Sequence, residues 1–253
     1  MKRTDYTEVA ARYERSHWRR RVAPDPTLAE RLAAAGERPF TVLDVGCGTG
    51  NYLARQCQSF PGANVRWLGV DPSEAMLAYA REKVPTAGLT IGRAESLQAP
   101  DGSVDYLVST FAFHHFEDKP RALDELTRVL APGGTLRLVN IDPFHMPSFW
   151  VYAYFPESRA EDEERFWPVA RIVEELERRG LGARARVEYD LYRAPLRGLL
   201  AEAELREMSQ LVLLGEAAWS RGLARMRAEL ALRPDSAVST ELAVLNVWAE
   251  KAR

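Results

Sequence analysis

Cysteine occurs only at positions 47 and 57 of this 253-residue chain. Two thiols without a C-x-x-C spacing exclude a disulfide framework and a zinc site of the usual kind. Lysine is confined to positions 2, 83, 119 and 251, and neither sign of charge dominates: 34 basic against 36 acidic residues leave a net charge of −2. That balance supplies no global field for nucleic acid or an anionic lipid surface. The short basic stretch Arg19-Arg20-Arg21 reads as a solvated helix face. Long apolar runs are missing too. The richest aromatic stretch, Pro147 to Pro156, is too short to cross a bilayer, and the N-terminus is polar, without the apolar core of a signal peptide. A reduced, cytoplasmic protein is expected. What is present is ordinary for a globular chain, 46% apolar and 28% charged residues, with enough length for one large α/β domain. There is no internal repeat or low-complexity tract.

The most informative stretch is Thr-Val-Leu-Asp-Val-Gly-Cys-Gly-Thr-Gly at 41–50. Phe40 to Val45 is a buried-strand pattern, Gly46, Gly48 and Gly50 alternate, and Asn51 to Gln58 reads as the start of a helix. A strand, a glycine turn and a helix start make a ligand cradle, because glycine admits close backbone approach and the helix start offers unpaired N–H groups. The pattern is G-x-G-x-G with Asn51 where a dinucleotide fingerprint has its third glycine. Asp44, two positions before the first glycine, would repel a pyrophosphate but can hold an ammonium group. Asp71 ends the next strand, Val65 to Val70, about twenty residues on, where a carboxylate can accept from two ribose hydroxyls. Ser73 is placed to cap the following helix, with Met76, Leu77 and Ala80 on its inner face.

Further along, strands are expected at Leu89–Gly92, Val104–Thr110 and Thr135–Ile141. A turn is expected at Pro100–Ser103, a helix at Lys119–Leu130 and a terminating Ala131-Pro132-Gly133-Gly134 turn. His114 and His115 lie in the loop leaving the strand that ends at Thr110, at the carboxyl edge where open α/β sheets bind ligands. Residues 4–21 and 27–35 read as helices. After Pro143 the chain becomes aromatic, from Phe144 to Pro156, then acidic at 161–164. A helix ending at Gly180, a strand over 185–191, a helical stretch over 196–231 and a last strand over 241–249 follow. The six aromatics between 144 and 155 either seal a core or line a pocket for a flat acceptor, with Phe149, Trp150, Tyr152 and Tyr154 as walls.

Val42 to Gly50 resembles the first motif of the class I S-adenosylmethionine-dependent methyltransferases. Val70-Asp71-Pro72-Ser73-Glu74-Ala75-Met76-Leu77, Val104 to Thr110, and the segment running through Pro132-Gly133-Gly134 to Ile141 extend the resemblance over residues 40–142. It is similar in flavour to the small-molecule members related to ubiquinone and menaquinone biosynthesis enzymes. The resemblance implies an α/β, doubly wound, mostly parallel seven-stranded sheet with an antiparallel edge strand. It divides a single domain into an N-terminal helical lid (1–36), a cofactor-binding core (37–142) and substrate-pocket helices with the last two strands (143–253). It implies S-adenosylmethionine as cofactor, contacted by Tyr6, Tyr13, Asp44, Gly46, Cys47, Gly48, Asn51, Asp71, Pro72, Met76, Ala94, Glu95 and Thr110, with no metal. Arg93 departs from the pattern, which often has Asp at that place for the adenine amino group. A guanidinium has no acceptor, so Glu95 or the Ala94 backbone N–H is left for the adenine.

The function so implied is in-line methyl transfer to a small-molecule acceptor. His115 and His114 are the candidate catalytic residues, and His145, Asp142 and Tyr13 stand behind them should a base be needed. Two other classes remain to be weighed: a non-catalytic S-adenosylmethionine-binding regulator, and a nicotinamide-dependent oxidoreductase. Asn51 at the third glycine place and the lack of a Tyr-x-x-x-Lys motif speak against the latter.

Overall fold

The computed structural model describes residues 22–253, together with Ala10. The helix expected over 4–21, with Tyr6 and Tyr13, otherwise falls outside the described residues. Helices and strands alternate through the first part: α1 Pro26–Ala35, β1 Phe40–Val45, α2 Asn51–Ser59, β2 Val65–Asp71, α3 Glu74–Lys83, β3 Gly88–Ile91, β4 Val104–Thr110, a 3₁₀ turn Phe113–His115, α4 Lys119–Val129 and β5 Leu130–Ile141. There follow a 3₁₀ turn Pro143–His145, α5 Trp150–Tyr154, α6 Glu157–Arg165, α7 Val169–Glu177, β6 Leu181–Pro195, α8 Leu196–Leu205, α9 Ser209–Val212, α10 Glu216–Leu232 and β7 Ala237–Lys251. Among the described residues, no helix is long and apolar enough to cross a membrane.

The seven strands form one sheet in the order β3-β2-β1-β4-β5-β7-β6. β1 pairs in parallel with β2 and β4, β2 with β3, and β4 with β5, and the β7–β6 side supplies the antiparallel edge. This is the doubly wound α/β architecture expected from the sequence. The order reverses between β1 and β4, so their carboxyl ends open the crevice where such sheets bind ligands.

The chain divides into two compact units. The larger comprises residues 22–140, Val169–Arg186 and Asn246–Arg253; the smaller comprises Ile141–Pro168 and Val187–Leu245. In the larger, β1 and β4 contribute Phe40, Val42, Tyr106 and Val108 to a core shared with Leu28, Leu53, Leu77 and Val84. A polar knot sits beside it. Asp25 caps α1 by accepting from the backbone of Thr27 and Leu28. Its other oxygen accepts from Tyr52 (2.7 Å) and Tyr106 (2.8 Å) and pairs with the Arg137 guanidinium at 2.6 Å. Gln56 accepts from the Asp25 backbone and donates to the carbonyl of Ala23. One carboxylate thereby ties α1, α2, β4 and β5 together.

In the smaller unit the aromatic run folds into α5 and its flanks. Phe149, Trp150, Tyr152, Tyr154 and Phe155 are buried with Met146, Leu196, Leu199, Leu211, Leu214, Leu223, Met226 and Ala243. Rings meet edge to face, Phe149 with Tyr152 at 5.4 Å and Trp150 with Phe155 at 6.4 Å. The core reading of this run therefore holds, and Trp150, 2% exposed, is a packing residue rather than a pocket wall.

Two local expectations are corrected. Ala131 to Gly134 is not a turn ahead of the strand but a bulge within β5: Val104 pairs with Leu130 while Tyr106 pairs with Thr135. The helical stretch over 196–231 is three helices. The first of the two breaks is at Arg206, whose φ of 51° is left-handed. Its guanidinium donates to the carbonyls of Leu211 and Leu214 and to Glu216, and lies 4.9 Å from the Trp219 ring. These contacts offset a backbone strain of about 1–3 kcal/mol.

Asp25→Ala leaves Arg137 without its buried counter-charge and should cost about 3–5 kcal/mol in urea unfolding. Tyr106→Phe removes one hydroxyl contact and should cost about 1 kcal/mol. Equal costs for the two variants would contradict the role given to Asp25.

Candidate active site

β1 delivers Asp44 and then the glycine turn. The backbone N–H groups of Gly46 and Cys47 both donate to the carbonyl of Val70 on β2, at 2.7 and 3.1 Å. Gly46, at φ +77°, lies against the loop leaving β4: a Cβ there would meet the Ala112 Cβ at 2.4 Å. Gly48 has φ +53° and open space where its Cβ would stand, so the turn presents bare backbone on that side. Its N–H donates to Asp71 Oδ2 at 2.8 Å, and the N–H of Ser73 donates to Asp71 Oδ1 at 2.9 Å. Asp71 therefore locks the turn to the start of α3, which Ser73 caps. Each carboxylate oxygen keeps a second lone pair for a further donor.

Asp44 is the anomaly of the site. It is buried, and its Oδ1 has no hydrogen-bond partner among the described residues. Burial, and then the nearby charge of Asp71, push its carboxyl up to about 8. Asp71 is itself raised, by burial, with the N–H groups of Ser73 and Gly48 pulling the other way. Burial also raises the Cys47 thiol, helped by both carboxylates, so Cys47 is a packing residue and not a nucleophile. An orphaned buried carboxyl beside open glycine backbone suits a ligand that brings a cationic group and hydrogen-bond donors, as S-adenosylmethionine does.

The remaining expected residues are placed as follows. Asn51 starts α2, and its Oδ1 accepts from Lys83 Nζ at 2.5 Å, while Lys83 also donates to Thr49. The sequence reading did not single out Lys83; its place at the end of α3 gave no signal that it reaches the glycine turn. Pro72 is exposed and Met76 buried beside the capped start of α3. Ala94 is buried. Glu95 Oε1 accepts from the backbone of Glu117 and Asp118, so that oxygen serves the loop, and Arg93 pairs with Glu117 at 2.5 Å. Thr110 ends β4, its hydroxyl without a partner among the described residues. Tyr6 and Tyr13 lie outside the described residues.

His114 is buried, with Nδ1 3.0 Å from Asn140 Oδ1. That contact ties the end of β5 to the His114 ring. The half-buried His115 ring lies 3.8 Å from it, tilted by 45°. The loop carrying both begins at Phe111, whose φ of 53° is unusual for an aromatic residue; strain of this kind gathers at functional loops. In the smaller unit, the exposed His145 has Nδ1 2.7 Å from the buried carboxylate of Asp142, so these two candidates, placed behind His115 and His114, form one pair.

Residues 43–138 match the family described as a methyltransferase domain. Over 152 residues the chain is 34% identical to demethylmenaquinone methyltransferase of Thermus thermophilus, covering 54% of this chain and 64% of that one. Over 113 residues it is 41% identical to malonyl-[acyl-carrier protein] O-methyltransferase of Methylococcus capsulatus, covering 44% and 40%. The chain thus spans less than two thirds of these relatives. Among solved structures, a protein from an antibiotic biosynthesis pathway of Anabaena variabilis shares the fold with a TM-score of 0.63 at 24% identity, over 90% of this chain and 98% of that one. The matched segment is a class I S-adenosylmethionine-dependent methyltransferase domain, and the cofactor of that class is S-adenosylmethionine.

A carboxyl raised by burial stabilises the folded state fully below the unfolded-state value near 4, and that contribution is lost as pH rises through about 8. Asp44→Asn, neutral throughout, should match the parent in thermal stability near pH 4 and exceed it increasingly up to pH 8. Parallel melting curves across that window would show that Asp44 is not held protonated.

Proposed function

We propose that the protein transfers a methyl group from S-adenosylmethionine to a small-molecule acceptor. The observation that carries this reading is the orphaned, buried Asp44 carboxyl behind a glycine turn, with Asp71 one strand away. When bound, S-adenosylmethionine supplies a sulfonium methyl that is already electrophilic. The chain's own task is therefore binding and orientation. Asp44 is assigned to the cofactor's ammonium group, ionising as it gains the cation. Asp71 accepts from the ribose hydroxyls through the lone pairs its backbone contacts leave over. The open backbone at Gly48 and the Gly46–Cys47 turn admit the body of the ligand. Asn51, pinned by Lys83, holds the mouth of the turn; Pro72, Met76, Ala94 and Thr110 form its sides. Glu95 and the Ala94 backbone remain the choices for the adenine edge, and Tyr6 and Tyr13 for a lid.

His115 is assigned to the methyl end, with His114 held behind it by Asn140. The acceptors named for the two relatives differ, one a demethylmenaquinone and the other a malonyl group on a carrier protein. The proposal is for a small-molecule acceptor, without a choice between these chemistries.

Asp71→Ala should weaken binding of S-adenosylmethionine and its demethylated product roughly ten- to a hundredfold, the worth of one or two hydrogen bonds to a charged group. Calorimetry measures it, with NAD as the ligand expected not to bind. Unchanged affinity in Asp71→Ala would remove the ribose assignment. Binding without methyl transfer to any of a panel of quinones, phenols and carboxylic acids would favour a regulatory role instead.

A further inference from the structure

Among the described residues β6 is the outermost strand on its side of the sheet, and it is unbroken over the 15 residues Leu181–Pro195. From Arg184 to Arg193 every residue is exposed except the half-buried Val187. Tyr189 is 56% and Leu191 65% exposed, so large apolar side chains stand on this edge. Soluble proteins usually blunt a long edge with lysine or proline along it. β6 has no lysine, and its one proline is its last residue.

The two faces of the strand differ in chemistry, because side chains alternate between them. Ala183, Ala185, Val187, Tyr189 and Leu191 share one face; Arg184, Arg186, Glu188 and Asp190 share the other. Tyr189 donates to Glu241 of β7, and the Arg184 guanidinium lies 4.5 Å from the Trp248 ring of β7. Two cations followed by two anions make an order that complements itself when read backwards. Two β6 strands laid antiparallel with Val187 against Val187 set Arg184 against Asp190 and Arg186 against Glu188, each twice. On the other face that register sets Ala183 against Leu191 and Ala185 against Tyr189, small against large. A slip of two residues puts Arg186 on Arg186 or Glu188 on Glu188, and parallel pairing in register puts each charge on its like.

Backbone direction agrees with this register. The N–H of Leu196 donates to the carbonyl of Ser236 at 2.8 Å, just past the ends of β6 and β7. Carried along the strand, the alternation turns the backbone groups of even-numbered residues toward β7 and those of odd-numbered residues outward. Val187 is then free to form a hydrogen-bonded pair with its copy, and the four ion pairs fall at the non-hydrogen-bonded places, where side chains are closest. Pro195, which has no N–H to give, is also on the outward side.

We infer that β6 is the edge at which a second copy of this chain docks, antiparallel about Val187, continuing the sheet of one copy into that of the other. This surface stands apart from the methyl-transfer reading and does not rest on it.

The test is sedimentation equilibrium of the full chain and of two charge-reversed variants. The parent should be a dimer that loosens as salt is added. Arg184→Asp with Arg186→Glu makes the charged face wholly acidic; Glu188→Arg with Asp190→Arg makes it wholly basic. Each should weaken the dimer about a hundredfold or more. Mixing the two variants should restore a dimer, since all four cross-strand pairs are again opposite in sign. Hydrogen exchange of the unaltered parent gives a second reading: the outward N–H groups of Ala185, Val187 and Tyr189 should gain protection as concentration rises. A parent that stays monomeric, as an edge reserved for an extended segment of another protein would leave it, overturns the inference. A dimer that survives either reversal, folded variants that fail to combine, or exchange at these three amides that ignores concentration overturns it as well.

Discussion

A buried carboxyl group with one unpartnered oxygen shapes the ligand end of the larger unit. Asp44 sits on central β1, buried, with Oδ1 unpartnered among the described residues and a second carboxylate, Asp71, raising the cost of its charge. An ordinary core would replace such a group with an apolar one. The elements around it instead leave room for a cationic guest. Gly46 packs against Ala112 with no space for a side chain, Gly48 keeps its Cβ direction open, and Asp71 binds the turn to β2 and α3 through two backbone N–H groups.

The same sheet shows how a buried charge is handled when structure is its whole purpose. Asp25 spends both oxygens on the backbone of α1, two tyrosines and Arg137, and Arg137 further donates to Asn246 at 3.0 Å. Such a knot fixes where α1, α2, β4 and β5 meet and leaves Asp25 nothing to offer a ligand. Asp44 is the contrasting case: buried, with Oδ1 unpartnered among the described residues and its carboxyl pushed up to about 8 by burial.

What could be read in advance follows from the range of the interactions involved. The β1 strand, the glycine turn and α2 are neighbours in sequence, so spacing marked Asp44 and Asp71 as candidates, and the resemblance implied the seven-stranded sheet that is found. The Asp25 knot was invisible because residues 25, 52, 106 and 137 carry no common pattern and meet only in three dimensions. Pro132-Gly133-Gly134 looks the same in sequence whether it ends a helix or bulges a strand, and β4 pairing decides for the bulge. Arg206 breaks a helical stretch without glycine or proline, through contacts to residues that follow it. The aromatic run around Trp150 has one composition for a pocket and for a core; burial distinguishes them.

The central claim is that Asp44 waits in its protonated form for a cation. Calorimetry of S-adenosylhomocysteine binding at pH 7, repeated in buffers of different ionisation enthalpy, measures the protons exchanged on binding. With the carboxyl pushed up to about 8 in the free protein and ionised against the ligand's ammonium group, close to one proton should be released per site in the parent and none in Asp44→Asn. Binding by the parent without proton release would contradict the account, for it would mean that the carboxylate was charged, and satisfied, before the ligand arrived.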